Sequence, residues 1–210
     1  MEMVNVMMAF DEIDDPSSLG KEYNEITGLF IFDVKLGENF QRKARWVADG
    51  HKTSAPSAVT YSTVVSRDSV RIILLIAALN DLDVQGADIQ NAYLIAPNKE
   101  KLWMKAGPDF GDNQGKYYVV SRALYGLKSA GASFRSFLAK KLDKLNFKSC
   151  IADPDVSHRP ATKEDGSEYY EYVLTYVDDL IAVSQNAKKV LQDISQDIKL
   201  KNDKIGPPDN

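Results

Sequence analysis

Residues 172–183 read Tyr172-Val-Leu-Thr-Tyr-Val-Asp178-Asp179-Leu-Ile-Ala-Val183, an apolar, β-prone run broken in its middle by two adjacent carboxylates. Neighbouring side chains of an extended strand point to opposite faces, so a straight strand would bury one of the pair. An ionised carboxylate buried without a partner is costly. A tight turn at the pair avoids that cost. The run then becomes a β-hairpin whose tip presents Asp178 and Asp179 to a metal ion. An Asp-Asp pair carries little meaning by itself: Asp14-Asp15, followed by Pro16-Ser17-Ser18, reads as a loop.

A further carboxylate lies upstream, in Val84-Gln-Gly-Ala-Asp88-Ile-Gln-Asn-Ala-Tyr93-Leu94. A short strand is expected around Val84 to Gln90, and Asp88 alone would read as a surface or capping residue. Taken with the hairpin tip, it makes three oxygen donors and no histidine, the ligand type that hard cations such as magnesium require. Two such ions about 4 Å apart can activate an attacking hydroxyl and stabilise the leaving oxygen of a phosphoryl transfer.

Around these segments the pattern alternates between strands and helices. Leu29 to Val34 is short and β-prone, Gly37-Glu38-Asn39 reads as a turn, and Arg42 to Ala48 returns as a second strand. Ser66 is placed to cap a helix from Arg67 to Leu79. That helix is apolar nearly all round, so deep packing is expected. Turn signals crowd residues 97–116. Ala130 to Phe147 and Ala187 to Lys199 show helical spacing, and Glu164-Asp165-Gly166 is a turn. The order predicts an α+β fold.

Composition narrows the chemistry. The chain has 210 residues, 44% of them hydrophobic, enough to bury a core. Cys150 is its one cysteine, and His51 and His158 its two histidines. An internal disulfide framework and a zinc site of several Cys or His ligands are excluded, and a Ser-His or Cys-His nucleophile is disfavoured. No apolar run reaches the length of a membrane span and the acidic start lacks the pattern of a signal peptide, so no membrane partner is expected, and the single cysteine fits an intracellular, reducing compartment. A net charge of −4 argues against a general nucleic-acid binder. The average hides two basic stretches. One is Gln41 to Lys52, with Arg42, Lys43 and Arg45, and the other is the helix-like run Lys140, Lys141, Lys144 and Lys148.

Six segments occur in one order: Phe32-Asp-Val-Lys35, Arg42-Lys-Ala-Arg-Trp-Val-Ala-Asp-Gly-His51, Tyr61-Ser-Thr-Val-Val-Ser66, Asp88-Ile-Gln-Asn-Ala-Tyr-Leu94, Ala123-Leu-Tyr-Gly-Leu-Lys128 and Tyr176-Val-Asp-Asp-Leu180. From about Gly28 to Ser184 this resembles the reverse transcriptase of copia-type retrotransposons, the fingers and palm portion of a Pol polyprotein. The resemblance implies a right-hand polymerase with an antiparallel palm sheet packed on helices. It implies an RNA or DNA template, a primer, deoxynucleoside triphosphates, two Mg2+ ions (or Mn2+), and other parts of the polyprotein as partners. It assigns Asp88, Asp178 and Asp179 as catalytic, metal-binding carboxylates. Tyr93 falls where such enzymes place an aromatic gate against the ribose 2′-hydroxyl, its alternative being core packing. Lys43 and Arg45 look like fingers residues facing the triphosphate, and Ser129 lies in the loop that supports the nucleotide.

The expected organisation is an N-terminal extension over 1–27, a fingers hairpin over 28–65 and a palm over 66–210, with 95–122 returning to the fingers and the thumb absent. The sequence departs from the family at Ser129, where glutamine is common, and at Asp49, where lysine is common. Two readings follow. One is an RNA-directed DNA polymerase. The other is an inert, truncated remnant that folds or binds nucleic acid without polymerase activity. A magnesium phosphohydrolase of another fold would also use three aspartates but leaves Tyr93 and the basic stretch unexplained.

Overall fold

A computed structural model describes residues 8–35, 40–53, 59–201 and 205–208. The turn expected at Gly37-Glu38-Asn39 and the first seven residues of the N-terminal extension lie outside them. In chain order the elements begin with β1 (Phe10–Ile13), β2 (Asn24–Glu25), β3 (Gly28–Lys35), β4 (Gln41–Ala48), helix α1 (Arg67–Leu79) and β5 (Asp83–Asp88). A one-turn α2 (Ala92–Ile95), β6 (Leu102–Lys105), β7 (Tyr117–Val120) and α3 (Ala130–Lys144) follow. Then come β8 (Lys148–Ser149), β9 (Val156–Thr162), β10 (Glu168–Tyr176), β11 (Asp179–Ser184) and α4 (Ala187–Ser195). The fold is α+β with largely antiparallel sheets; β2 and β6 form a parallel pair.

The chain divides into two compact units. The first comprises Met1–Tyr61 and Tyr93–Phe134. It contains the β3–β4 hairpin and a four-stranded sheet of order β1-β7-β6-β2. Alternation along β4 turns Trp46 and Ala48 into the core and leaves Lys43 and Arg45 together on the other face, only half-buried. The Trp46 indole meets Phe10 edge-on at 5.4 Å, and Phe110 closes the cluster at 6.1 Å from Trp46. Phe110 is buried from within the turn-rich region, in a 3-10 segment, Pro108–Asn113. The pairing of β1 with β7 was not legible in local pattern, because the two strands are more than a hundred positions apart, and the antiparallel β6–β7 pair was hidden by the turn signals between them.

The second unit, Ser62–Ala92 with Arg135–Asn210, is built on the antiparallel sheet β5-β11-β10-β9-β8. The Ser66 hydroxyl accepts from the Ser69 amide at 3.1 Å, and the helix runs over the expected span. Its depth does not match expectation. Ile73 and Ala77 are buried on a core with Val65, Val156, Leu174 and Val183. Ile72, Leu75 and Leu79, in contrast, are 56%, 59% and 75% exposed. A helix lying on one face of a sheet has a single stripe to bury, however apolar the remaining stripes are.

The other two helices are shorter than their periodicity suggests. After Lys144, Asn146 takes a positive φ of 65° and the Phe147 amide donates back to the Leu142 carbonyl at 3.0 Å, ending α3 before the buried Phe147. The basic run therefore splits. Lys148 lies in β8 and pairs with Asp143, while Lys141 pairs with Asp197 at 2.9 Å. Helix α4 packs on β5 and β11 through Ala187, Val190, Leu191 and Ile194, and the chain turns after Ser195.

Candidate active site

The run 172–183 folds as a hairpin. Tyr176 is paired with Asp179, leaving Val177 and Asp178 as the two central residues of the turn. Val177 has φ 54°, a left-handed conformation that a β-branched side chain disfavours. Holding it there costs on the order of 1–3 kcal/mol, the kind of local strain that rigid surroundings must maintain. Valine gives no sequence signal of a positive φ; the paired carboxylates were the readable sign of the turn.

Strand β11 pairs antiparallel with β5, and the register sets Asp179 directly opposite Asp88. Directly opposed residues share a sheet face, so these two carboxyls meet. The Ile89 amide donates to the Asp178 carbonyl at 2.7 Å, extending the contact to the turn itself. Partial burial, a hydrogen bond shared with Asp88, and the charges of Asp178 and Asp88 together push the Asp179 carboxyl up to about 6. Like charges directly opposed in a sheet are destabilising. Asp88 also faces a cation. Lys201 Nζ lies 2.6 Å from Asp88 Oδ2, and that contact lifts the lysine above its ordinary range. Among the described residues no group of three or more His, Cys, Asp or Glu side chains is placed so that it could hold a metal ion. The three aspartates are all-oxygen donors, the ligand type that hard divalent cations take.

The remaining candidates belong to the first unit. The Arg45 guanidinium lies over the Tyr125 ring, 5.7 Å from its centroid. The Tyr93 ring meets Tyr125 edge-on at 4.8 Å and Phe134 at 6.2 Å. Tyr125 thus contacts two candidates that sequence analysis treated separately, and it lies within Ala123–Lys128. Its loop is fastened to the end of β4, with the Ala48 amide donating to the Tyr125 carbonyl at 2.8 Å. Gly126 has φ 89°, and a Cβ there would overlap the Ala48 carbonyl oxygen, so glycine is required on both counts. Asp49, the departure at the end of the basic stretch, accepts from Thr27 Oγ1 at 2.6 Å and Lys52 Nζ at 2.7 Å. These bonds hold its carboxyl below the usual range. Here the aspartate ties β4 to the start of β3.

Ser129 is buried, and both its hydroxyl (2.6 Å) and its amide (3.0 Å) donate to Glu100 Oε1. Its polar groups are thus committed to an internal contact. Glu100 and Lys201 were not singled out from sequence, and neither lies in a segment with a motif to flag it. Lys43 stands opposite Asp33 across the β3–β4 hairpin.

With this geometry in place, comparison with known proteins is informative. The chain matches the family model described as reverse transcriptase (RNA-dependent DNA polymerase) over residues 12–205. It is 29% identical over 182 residues to the Retrovirus-related Pol polyprotein from transposon RE2 of Arabidopsis thaliana, covering 82% of this chain and 12% of that polyprotein. It is 28% identical over 173 residues to the Retrovirus-related Pol polyprotein from transposon TNT 1-94 of Nicotiana tabacum, covering 79% of this chain and 12% of the relative. The Truncated transposon Ty1-A Gag-Pol polyprotein of Saccharomyces cerevisiae is 28% identical over 199 residues, 88% of this chain and 15% of the relative. The chain therefore spans roughly an eighth of the length of these relatives. Motif order, fold class and these matches agree, and the chain belongs to the reverse transcriptase family, as a copia-type reverse transcriptase region of the kind found in retrotransposon Pol polyproteins.

Proposed function

We propose that this chain carries the nucleotidyl-transfer site of an RNA-directed DNA polymerase, with Asp88, Asp178 and Asp179 as its metal-binding carboxylates. The observation that carries the reading is the register that opposes Asp179 to Asp88 beside the Val177-Asp178 turn. A fold gains nothing in stability from opposing two carboxylates, and a site for divalent cations needs such a pair. Magnesium or manganese, when bound, supplies charge neutralisation at the attacking and leaving oxygens of phosphoryl transfer. The chain's own residues supply the rest. Asp88 and Asp178 are the direct ligands in this reading, and Asp179 adds negative charge beside them.

We assign the fingers to the first unit and the palm to the second. Lys43 and Arg45, on the half-buried face of β4, are the cations that would meet a deoxynucleoside triphosphate, since charge there offsets the developing charge on phosphate. Tyr93, wedged on Tyr125 and Phe134, is rigid enough to exclude a 2′-hydroxyl, which is what a gate requires. Ser129 would act at a distance, by fixing the loop through Glu100. Template, primer and the remaining polyprotein segments are the partners this function needs.

Single-nucleotide primer extension on RNA and DNA templates tests the reading. The full chain should add the templated deoxynucleotide when Mg2+ or Mn2+ is present, and Asp178→Asn should abolish the addition. Addition that survives Asp178→Asn would refute the assignment. Absence of addition by the wild type, with metal bound, would favour the inert remnant.

A further inference from the structure

Lys201 is delivered to Asp88 by backbone that is fixed on both sides. Leu200, buried to 2% exposure, bridges to Ile89, and the Gln90 amide donates to the Lys199 carbonyl at 2.9 Å. Farther along, Gly206 bridges to Gly86, with paired backbone bonds of 2.6 and 3.1 Å. Leu200 and Gly206 thus each lie beside β5, the strand that ends on Asp88, and the Lys201 side chain reaches that carboxylate. Both side chains remain 45% exposed, so the pair is open to exchange with ions from solvent. Nothing in α4 or in residues 199–201 requires a cation there for packing, since Ile198 and Leu200 supply the buried contacts.

We propose that Lys201 is a tethered counter-ion for the carboxylate cluster: it holds Asp88 while no divalent cation is bound, gives that oxygen up when one binds, and so sets the metal affinity of the site. The proposal rests on the reading of Asp88 as a metal ligand. It follows from charge and geometry. A lysine at 2.6 Å and a divalent ion draw on the same negative charge of Asp88. Metal binding weakens the ammonium's attraction to Asp88 and adds cation–cation repulsion, and both are subtracted from the binding free energy of the metal. The tether keeps the displaced ammonium close by, so its effect is a graded competition and not a block.

Manganese titration followed by the electron paramagnetic resonance signal of the free ion tests this on the full chain, with circular dichroism confirming that each variant is folded. Lys201→Gln should bind Mn2+ about three- to tenfold more tightly than wild type, given a half-exposed ion pair and the removed cation–cation repulsion. Lys201→Arg should stay near wild type, because the charge is kept. The difference between wild type and Lys201→Gln should shrink as salt is raised. Equal affinity in wild type and Lys201→Gln, or weaker binding in the latter, would overturn the proposal while leaving the metal site standing. Saturable binding absent from wild type, or unchanged by Asp88→Asn, would instead remove the metal-site reading and this inference with it.

Discussion

The β10–β11 hairpin carries carboxylates at both of its ends, buried at the open end and exposed at the tip, and the two ends treat them in opposite ways. Toward the open end, on the sheet face shared with Ser184, Glu171 is 9% exposed and fully satisfied. Arg159 Nε donates to it at 2.6 Å, Ser184 Oγ at 2.6 Å, and Tyr169 Oη at 3.3 Å. The Arg159 guanidinium lies 4.4 Å from the Phe147 ring centroid, and a further donor of that group reaches the Leu145 carbonyl at 2.8 Å. At the tip, on the opposite face, Asp179 opposes Asp88, whose Oδ2 accepts from the half-exposed Lys201. The first arrangement is a closed network, in which each polar group has a partner, and it contributes rigidity. The second sets like charges against each other, which lowers the stability of the fold.

The comparison can be broken first at its stable end. Glu171→Ala strands the Arg159 guanidinium in a site only 21% exposed, which should cost about 3–5 kcal/mol of folding stability. Urea unfolding measures this directly. A loss under about 1 kcal/mol would mean that solvent already satisfies the arginine and that the two ends are alike.

A smaller effect of opposite sign is expected at the tip. The Asp179 carboxyl titrates near 6 in the folded chain, above its ordinary 3.8. Between these values the native state retains a proton that the unfolded chain releases, so stability falls as pH rises through that window and stays reduced above it. Exposure of the site screens the effect to about 1 kcal/mol. Unfolding of the metal-free chain at pH 4.5 and pH 7.5 should show this slope, and Asp179→Asn should remove it and be the more stable variant at pH 7.5. Identical pH dependence in both would show that the opposed carboxylates do not repel.

How much of this was legible in sequence depended on whether the deciding signal was local. Ser66 and the apolar spacing after it fixed the start and end of α1, because a cap and a helical period are properties of neighbouring residues. The Asp178-Asp179 pair located the hairpin tip for the same reason. The depth of α1 was misjudged, since composition reports that Leu75 and Leu79 are apolar and says nothing about what covers them. Strands β1, β6 and β7 were missed: β6 lies among turn residues, and β1 finds its partner more than a hundred positions away, where pairing outweighs local propensity. At the candidate site, the three aspartates were readable from motif and chemistry. Lys201, which lies 113 positions from Asp88, was not, because only the bridge between Leu200 and Ile89 brings it there. The partner of Ser129, Glu100, was not readable either, because it comes from a loop with no motif to announce it.

The central claim, that the tip holds opposed carboxylates in readiness for a divalent cation, is tested most directly by thermal unfolding of the full chain at pH 7.5 with and without saturating Mn2+. Binding to the folded state alone must raise the midpoint, by about 3 °C or more at tenfold excess over the dissociation constant for a chain of this size. The account predicts that rise in wild type and its loss in Asp88→Asn. An unchanged wild-type midpoint, or the same rise in Asp88→Asn, would contradict it.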